Sequence, residues 1–337
     1  MKPSDLADAI ARYPRLSLGL KPTPLHHAQT FSATVGADVW FKRDDLNGIA
    51  TGGNKVRKLE FLLAEAVRMN ADTLVTVGAA QSNHARTVAA AAAMRGLECH
   101  LVLGGHRPLA PTGNLVADQL LGARLHFAGV EDWHALEKRA DELARGLRDR
   151  GRRPFVMPIG GSTPIGALAF VAAFLELVEQ TSALGWGAWT LVHASSSGGT
   201  QAGLEVARQA LGMQSPQIIG VAVAKTAGDL SAKIHELMRR TARLIELDAE
   251  LARPNLVDGF LGPGYAIPTP GGLAAMSLLA RTEGIFTDPV YTAKALDAIV
   301  EMAGRSVFSR GPVVFWHTGG IPALFAEDQG LMRWTAQ

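Results

Sequence analysis

The chain is expected to fold as an α/β protein whose parallel sheets are covered by helices on both faces. Three observations point there. Apolar runs of strand length alternate with helix-period segments along most of the 337 residues. The first long helical segment carries one apolar stripe, Leu59, Leu62, Leu63 and Ala66. Two glycine-rich turns fall between strand runs and helix starts, where ligands sit in such folds. A composition 47% hydrophobic and 19% charged supports a large core in one or two domains.

Taken in order, strands are expected at 39–42, 73–77, 99–103, 124–127, 155–157, 190–193, 218–223 and 313–317. Helices are expected near 55–69, 83–94, 112–121, 133–148, 164–184, 200–211, 229–242, 271–282 and 292–305. The segments Gly104-Gly105-His106-Arg107-Pro108 and Asp149-Arg150-Gly151-Arg152-Arg153-Pro154 are polar loops punctuated by Gly and Pro. Neither reads as a long flexible linker.

Charge and cysteine usage narrow the partners. Net charge is +2, with 33 basic residues against 31 acidic ones, so no nucleic-acid partner is expected. The one cysteine, Cys99, lies in an apolar run and reads as a packed thiol, which fits a reducing compartment. Residues 1–14 mix acids with apolar residues and do not read as a secretory signal. No segment was expected to approach the roughly 20 apolar residues that span a bilayer. A cytoplasmic location without a membrane partner follows as the expectation. The pairs His26-His27 and His100/His106 lack metal-ligand spacing and companions, so no metal is expected.

Chemistry concentrates in the turns. Gly52-Gly53-Asn54-Lys55 places a lysine in the first turn of a helix, where the helix dipole disfavours a cation. A solvated surface lysine is the plain alternative. An amine that must shed its proton to react removes the conflict. A nucleotide-binding P-loop fits poorly, because Asn54 separates glycine from lysine and Val56 replaces the metal-binding hydroxyl.

The second turn, Ser195-Ser196-Ser197-Gly198-Gly199-Thr200, points N–H groups and a helix dipole at an anion. A helix cap would use one of those serines, not three. Together the turns suggest a cofactor held at both ends, an aldehyde on Lys55 and a phosphate in the loop: pyridoxal phosphate. Gln81-Ser82-Asn83-His84 opens another helix after a strand run. Ser82 or Asn83 serves as a cap, or they face a ligand; His84 serves packing, capping or substrate. Tyr265 and Tyr291 sit in turn-like settings, as packed aromatics or as phenols able to move a proton.

In order and extent these motifs resemble the 1-aminocyclopropane-1-carboxylate (ACC) deaminase / D-cysteine desulfhydrase family, of the fold type II, tryptophan synthase β-like enzymes. The resemblance runs from Pro22-Thr23-Pro24-Leu25 and Lys42-Arg43-Asp44-Asp45 through Thr51 to Glu60 and Gln81 to His84. It continues through Gly198 to Gly203, Asp288-Pro289-Val290-Tyr291 and His317-Thr318-Gly319-Gly320.

The resemblance implies two doubly wound domains, a larger one of residues 1–50 plus 167–337 and a smaller inserted one of 51–166, with the cofactor between them. It implies a homodimer acting on a small amino acid. By the same resemblance Lys55 would bind the cofactor aldehyde and later take the Cα proton. Lys58, Ser196, Ser197, Gly198, Gly199 and Thr200 would hold the phosphate, and Asn83 the ring oxygen. Ser82, Asn83, His84 and Thr318 would meet the substrate, with Ser82, Tyr265 and Tyr291 assisting proton transfer.

Two positions bear on the reaction. ACC deaminases carry Glu and Leu where this chain has Thr292 and Thr318. A threonine at the pyridine nitrogen would leave the ring a weaker electron sink than a carboxylate would. That suits elimination of a good Cβ leaving group, as from D-cysteine to pyruvate, hydrogen sulfide and ammonia. The segment Gly264-Tyr265-Ala266-Ile267-Pro268 departs from the desulfhydrase pattern Tyr-Gly-Val-Pro. L-cysteate sulfo-lyase, releasing sulfite, and ACC deaminase therefore stand as alternatives.

Overall fold

The computed structural model describes residues 1–308 and 311–326. Ten strands are present: β1 (Leu25–His27), β2 (Val39–Arg43), β3 (Thr73–Gly78), β4 (Glu98–Leu103), β5 (Arg124–Phe127), β6 (Pro154–Met157), β7 (Thr190–Ser195), β8 (Gln217–Ala222), β9 (Leu256–Val257) and β10 (Val313–His317). They form a six-stranded sheet in the order β1-β2-β10-β7-β8-β9 and a four-stranded sheet in the order β5-β4-β3-β6. Every described pairing is parallel except β1 with β2. The chain is thus α/β with mainly parallel sheets, as the alternation predicts.

Two apolar clusters cover the six-stranded sheet, one around Phe170, Phe174, Leu191 and Trp316, the other around Phe31, Phe41, Val192 and Phe315. Neighbouring residues on one strand, Leu191 and Val192, point to opposite clusters, as the pleat requires. The four-stranded sheet is likewise covered on both faces: Leu74, Leu101 and Leu103 join one cluster, Val75, Val77 and Val102 the other.

Local signals start the helices. Ser82, Asp132, Thr163, Thr226 and Thr269 each accept a backbone N–H of the first turn, and Pro164 and Pro270 sit at the first helical position. The helices Pro3–Ala11 and Gln29–Val35 and the strands β1 and β9 escape the sequence reading. Segments of two to nine residues are too short to show a period. The helix expected from 112 begins at Asn114, behind Gly113 at φ 54°.

One sequence expectation is corrected. Pro164–Ala183 is long and apolar enough to cross a membrane by length and composition, with a mean hydropathy of 1.4. Its apolar character has another cause here: Phe170, Val171, Phe174 and Leu177 are wholly buried in the core of the six-stranded sheet.

A buried polar network joins this helix to the helix Asn54–Arg68. The guanidinium of Arg57 donates to Asp44 Oδ1 and Oδ2, to Glu176 Oε1 and Oε2 and to Thr23 Oγ1, all at 2.9–3.1 Å. Lys42 Nζ donates to Thr23 O at 2.7 Å and to Gln180 Oε1 at 2.6 Å. One turn further along, Glu60 is paired with Lys21 and Arg15 and accepts the N–H groups of Leu18 and Gly19. Every buried charge here has a partner, which its desolvation demands.

Candidate active site

A cavity of about 380 Å³ lies where the carboxyl ends of β3, β7 and β10 face one another. Its inner wall begins with the lysine turn. Ala50, Thr51, Gly52 and Gly53 have successive φ values of 45°, 64°, 65° and 106°, four residues in left-handed backbone. Two of them are not glycine, and each of those costs on the order of 1 kcal/mol. The turn is stitched down on both sides: Gly53 N–H donates to Asp44 O at 2.7 Å, and Asn54 N–H to Thr318 O at 3.0 Å. A Cβ on Gly52 would lie 2.4 Å from Asp45 O, so only glycine fits.

The turn delivers Lys55 into the cavity, its Nζ donating to Asn54 Oδ1 at 3.0 Å. Asn54 Nδ2 in turn donates to Thr200 Oγ1 at 3.0 Å. Burial first, then the nearby charge of Arg86, lowers the amine to about 8, against the opposing pull of Asp288. A substantial neutral fraction at physiological pH suits a nucleophile or a base.

Opposite it, the Ser195–Thr200 loop leaves β7 and opens the helix Gly199–Ala210. Ser196, Ser197, Gly198 and Thr200 line the cavity, and Gly198 is left-handed at φ 91°. Gly199 N–H donates to Ser162 Oγ at 3.2 Å, and Ser162 Oγ–H to Ser197 Oγ at 2.8 Å. Lys58, expected at the phosphate, does not line the cavity. It lies behind the loop, fully buried, donating to Gly160 O at 3.1 Å and Ser162 Oγ at 3.3 Å. A Cβ on Gly199 would come within 2.8 Å of its Nζ.

These groups fit a phosphorylated cofactor. Burial, then Lys55 and Lys233, pushes the Lys58 amine well below its ordinary value. His84 is buried with neither ring nitrogen partnered, and burial, Lys55 and Lys58 lower it strongly. Lys58 donates to no carboxylate among the described residues. A dianion beside this buried amine, this buried imidazole and the helix N-terminus would supply the opposite charge that their protonated forms lack.

The third wall is the start of the helix Asn83–Met94. Ser82 Oγ caps it by accepting Ala85 N–H at 3.1 Å, which leaves its own proton free for the cavity it lines. Asn83 also lines the cavity; its Oδ1 accepts from Arg86 Nη1 and from Asn114 Nδ2, both at 3.1 Å.

The outer wall carries both phenols. Tyr265 and Tyr291 share a short hydroxyl–hydroxyl hydrogen bond. Burial raises Tyr265 to about 12 and holds Tyr291 well above its ordinary value. Trp133 packs edge-on against Tyr265, ring centres 5.6 Å apart.

Thr292, expected at the ring nitrogen, has Asp288 as the partner of its hydroxyl. It is fully buried and absent from the cavity wall, and its hydroxyl donates to Asp288 Oδ1 at 2.6 Å while accepting Asp288 N–H at 2.8 Å. Asp288, in the turn ahead of the helix Thr292–Gly304, also accepts the N–H groups of Val290, Tyr291 and Thr292. Of the two threonines, Thr318 lines the cavity.

Sequence reasoning missed Asn54, Arg86, Trp133 and the Gly160–Ser162 turn. That turn had a findable signal, since it is a third strand–glycine–helix junction. Arg86 had none, because its role exists only through folded contacts.

The comparisons agree with this geometry. The family model for "pyridoxal-phosphate dependent enzyme" matches residues 16–319. A D-cysteine desulfhydrase of Serratia proteamaculans (strain 568) is 40% identical, covering 96% of this chain and 98% of its own. One from Klebsiella pneumoniae (strain 342) is 42% identical over 94% and 97%. The crystal structure of an ACC deaminase homologue superposes with a TM-score of 0.89 at 36% identity, covering 95% and 96%. Serine racemase from Dictyostelium discoideum shares the fold at 18% identity, TM-score 0.64, over 95% of this chain and 98% of its own. With the family model spanning nearly the whole chain around a cavity suited to its cofactor, the protein belongs to the pyridoxal-phosphate dependent enzymes, in the branch of D-cysteine desulfhydrase and ACC deaminase.

Proposed function

We propose that the enzyme eliminates hydrogen sulfide from D-cysteine, giving pyruvate and ammonia. The observation that carries this reading is one cavity with a low-affinity amine on one wall, Lys55, and a hydrogen-bonded phenol pair on another, Tyr265 and Tyr291. The two relatives at 40% and 42% identity support the substrate.

Held between Lys55 and the Ser195–Thr200 loop, pyridoxal phosphate would supply an electron sink for the charge left at Cα. Lys55 would take the Cα proton. Ser196, Ser197, Gly198 and Thr200 grip the phosphate, with Gly199 and Lys58 behind them. Ser82 offers a hydroxyl proton to the substrate carboxylate, and His84 closes the floor beside it. A phenol of the Tyr265–Tyr291 pair hands its proton to the departing sulfur, the other phenol steadying the phenolate. The released aminoacrylate takes up water and falls to pyruvate and ammonia. Thr318 adds a hydroxyl to the inner wall.

Sulfide, sulfite and keto-acid release from D-cysteine, L-cysteine, L-cysteate and ACC tests the reading. Sulfide with pyruvate from D-cysteine is expected. Sulfite from cysteate as the main product, or 2-oxobutanoate from ACC, would overturn it. A cytoplasmic homodimer completes the proposal. Light scattering checks the dimer.

A further inference from the structure

Arg86 is almost wholly buried, one turn into the helix that begins at Asn83. Its guanidinium makes three bonds at once. Nη1 donates to Asn114 Oδ1 at 2.7 Å and to Asn83 Oδ1 at 3.1 Å, and Nη2 donates to Gly52 O at 3.2 Å. Asn114 Nδ2 adds a second donor to Asn83 Oδ1, and Asn114 is itself fixed by donating to Gln81 O at 2.9 Å.

Two donors converging on one end of the Asn83 amide require that end to be the oxygen. Neither Arg86 nor Asn114 lines the cavity, whereas Asn83 does. The end of Asn83 left for the cavity is therefore its NH₂ group, a donor. The same guanidinium holds the carbonyl of Gly52, in the turn that delivers Lys55.

We propose that Arg86 is a positioning residue for the cofactor: it turns the NH₂ of Asn83 into the cavity and ties it in register with the Lys55 turn. The proposal rests on the reading above, in which Asn83 meets the cofactor's ring oxygen. It adds a direction to that contact. Asn83 can only donate there, so it favours the ionised, accepting form of the oxygen. The charges around Arg86 are Asp118 from the helix Asn114–Leu120, Asp288 ahead of the helix Thr292–Gly304, and Lys55. The first two favour its charge, and the last has its own proton affinity lowered by Arg86.

The test is a double-mutant cycle on the holoenzyme with Arg86→Met, Asn83→Ala and the pair combined. It reads the cofactor dissociation constant and the pH at which the visible band of the bound cofactor titrates. Each single change is expected to weaken cofactor binding about tenfold, the size of one charge-assisted hydrogen bond, and to move the titration in the same direction. The double variant is expected to be no worse than either single one. Losses that multiply to about a hundredfold would overturn the proposal while leaving Asn83 at the cofactor. A silent Asn83→Ala would overturn both the proposal and that placement. Should Arg86→Met not fold, Arg86→Lys and Asn114→Ala replace it in the cycle. Arg86→Lys keeps the charge but cannot span three acceptors, and Asn114→Ala removes the second donor to Asn83.

Discussion

Lys55 Nζ rests 3.0 Å from Asn54 Oδ1, so the reactive amine leans on a neutral acceptor rather than a carboxylate. Burial and then Arg86 lower its proton affinity, and a neutral partner does not oppose them. Asn54→Asp would set a negative charge against the amine and raise it above about 8. The pH dependence of cofactor recapture by the apoenzyme, which needs the neutral amine, is expected to move to higher pH, with capture several-fold slower near neutrality. An unmoved profile would show that Asn54 does not govern the lysine.

The same lowered affinity predicts a stability effect. A lysine at 10.5 in the unfolded chain and about 8 in the fold prefers to fold neutral. Its contribution is fully present above the unfolded value and is lost as pH falls through about 8. The Lys55→Met apoenzyme is therefore expected to be more stable than wild type at pH 7, by on the order of 1–3 kcal/mol after allowing for partial exposure. The gap should close as pH rises beyond about 8, and denaturant unfolding at several pH values measures it.

Thr292 and Thr318 should separate cleanly. Thr292→Val removes a hydroxyl bonded twice to Asp288, at a cost of about 1–2 kcal/mol in unfolding free energy. It should leave the cofactor's visible spectrum nearly unchanged. Thr318→Val, on the cavity wall, should do the reverse. Urea melts and absorption spectra of the two variants decide it.

Gly199→Ala drives a methyl to within 2.8 Å of both Lys58 Nζ and Ser162 Oγ. The backbone Cα of Ser162, 3.1 Å away, closes the other side. Cofactor affinity is expected to fall at least about tenfold, measured by equilibrium dialysis, with the fold retained by circular dichroism.

Glu176 offers an acid-limb prediction. Burial alone would raise its carboxyl, but hydrogen bonds and charge from Arg57, then Lys42, hold it down to about 2. A depressed carboxylate contributes stability that is present above its unfolded value near 4.5 and lost as pH falls toward about 2. Glu176→Gln should flatten unfolding free energy across that window and cost about 3–5 kcal/mol at pH 7, because Arg57 and Lys42 lose a partner.

Much of this was legible in the chain. Strands β2 to β8 and β10 announce themselves because a buried parallel strand must be apolar along its length. The Lys55 turn and the Ser195–Thr200 loop are visible because glycines cluster where backbone must be left-handed or must approach an anion. The partner of the hydroxyl at position 292 was not legible, because a motif records which residue follows a tyrosine but not which way it turns. Asp288 accepts it in the folded turn before the helix. Arg86 was invisible for a related reason: Gly52, Asn83 and Asn114 are brought together by three separate segments.

The cavity's walls also bear on the order of assembly. Each sheet is completed by its own strands and covered by its own apolar clusters. Neither waits for the cofactor to bury its core. The cofactor would sit as a removable rivet between residues 54–84 on one side and 195–200 on the other. Its loss should leave both halves folded and loosen only their join. Saturation with cofactor then reinforces that join by mass action, more firmly the further its concentration exceeds the dissociation constant.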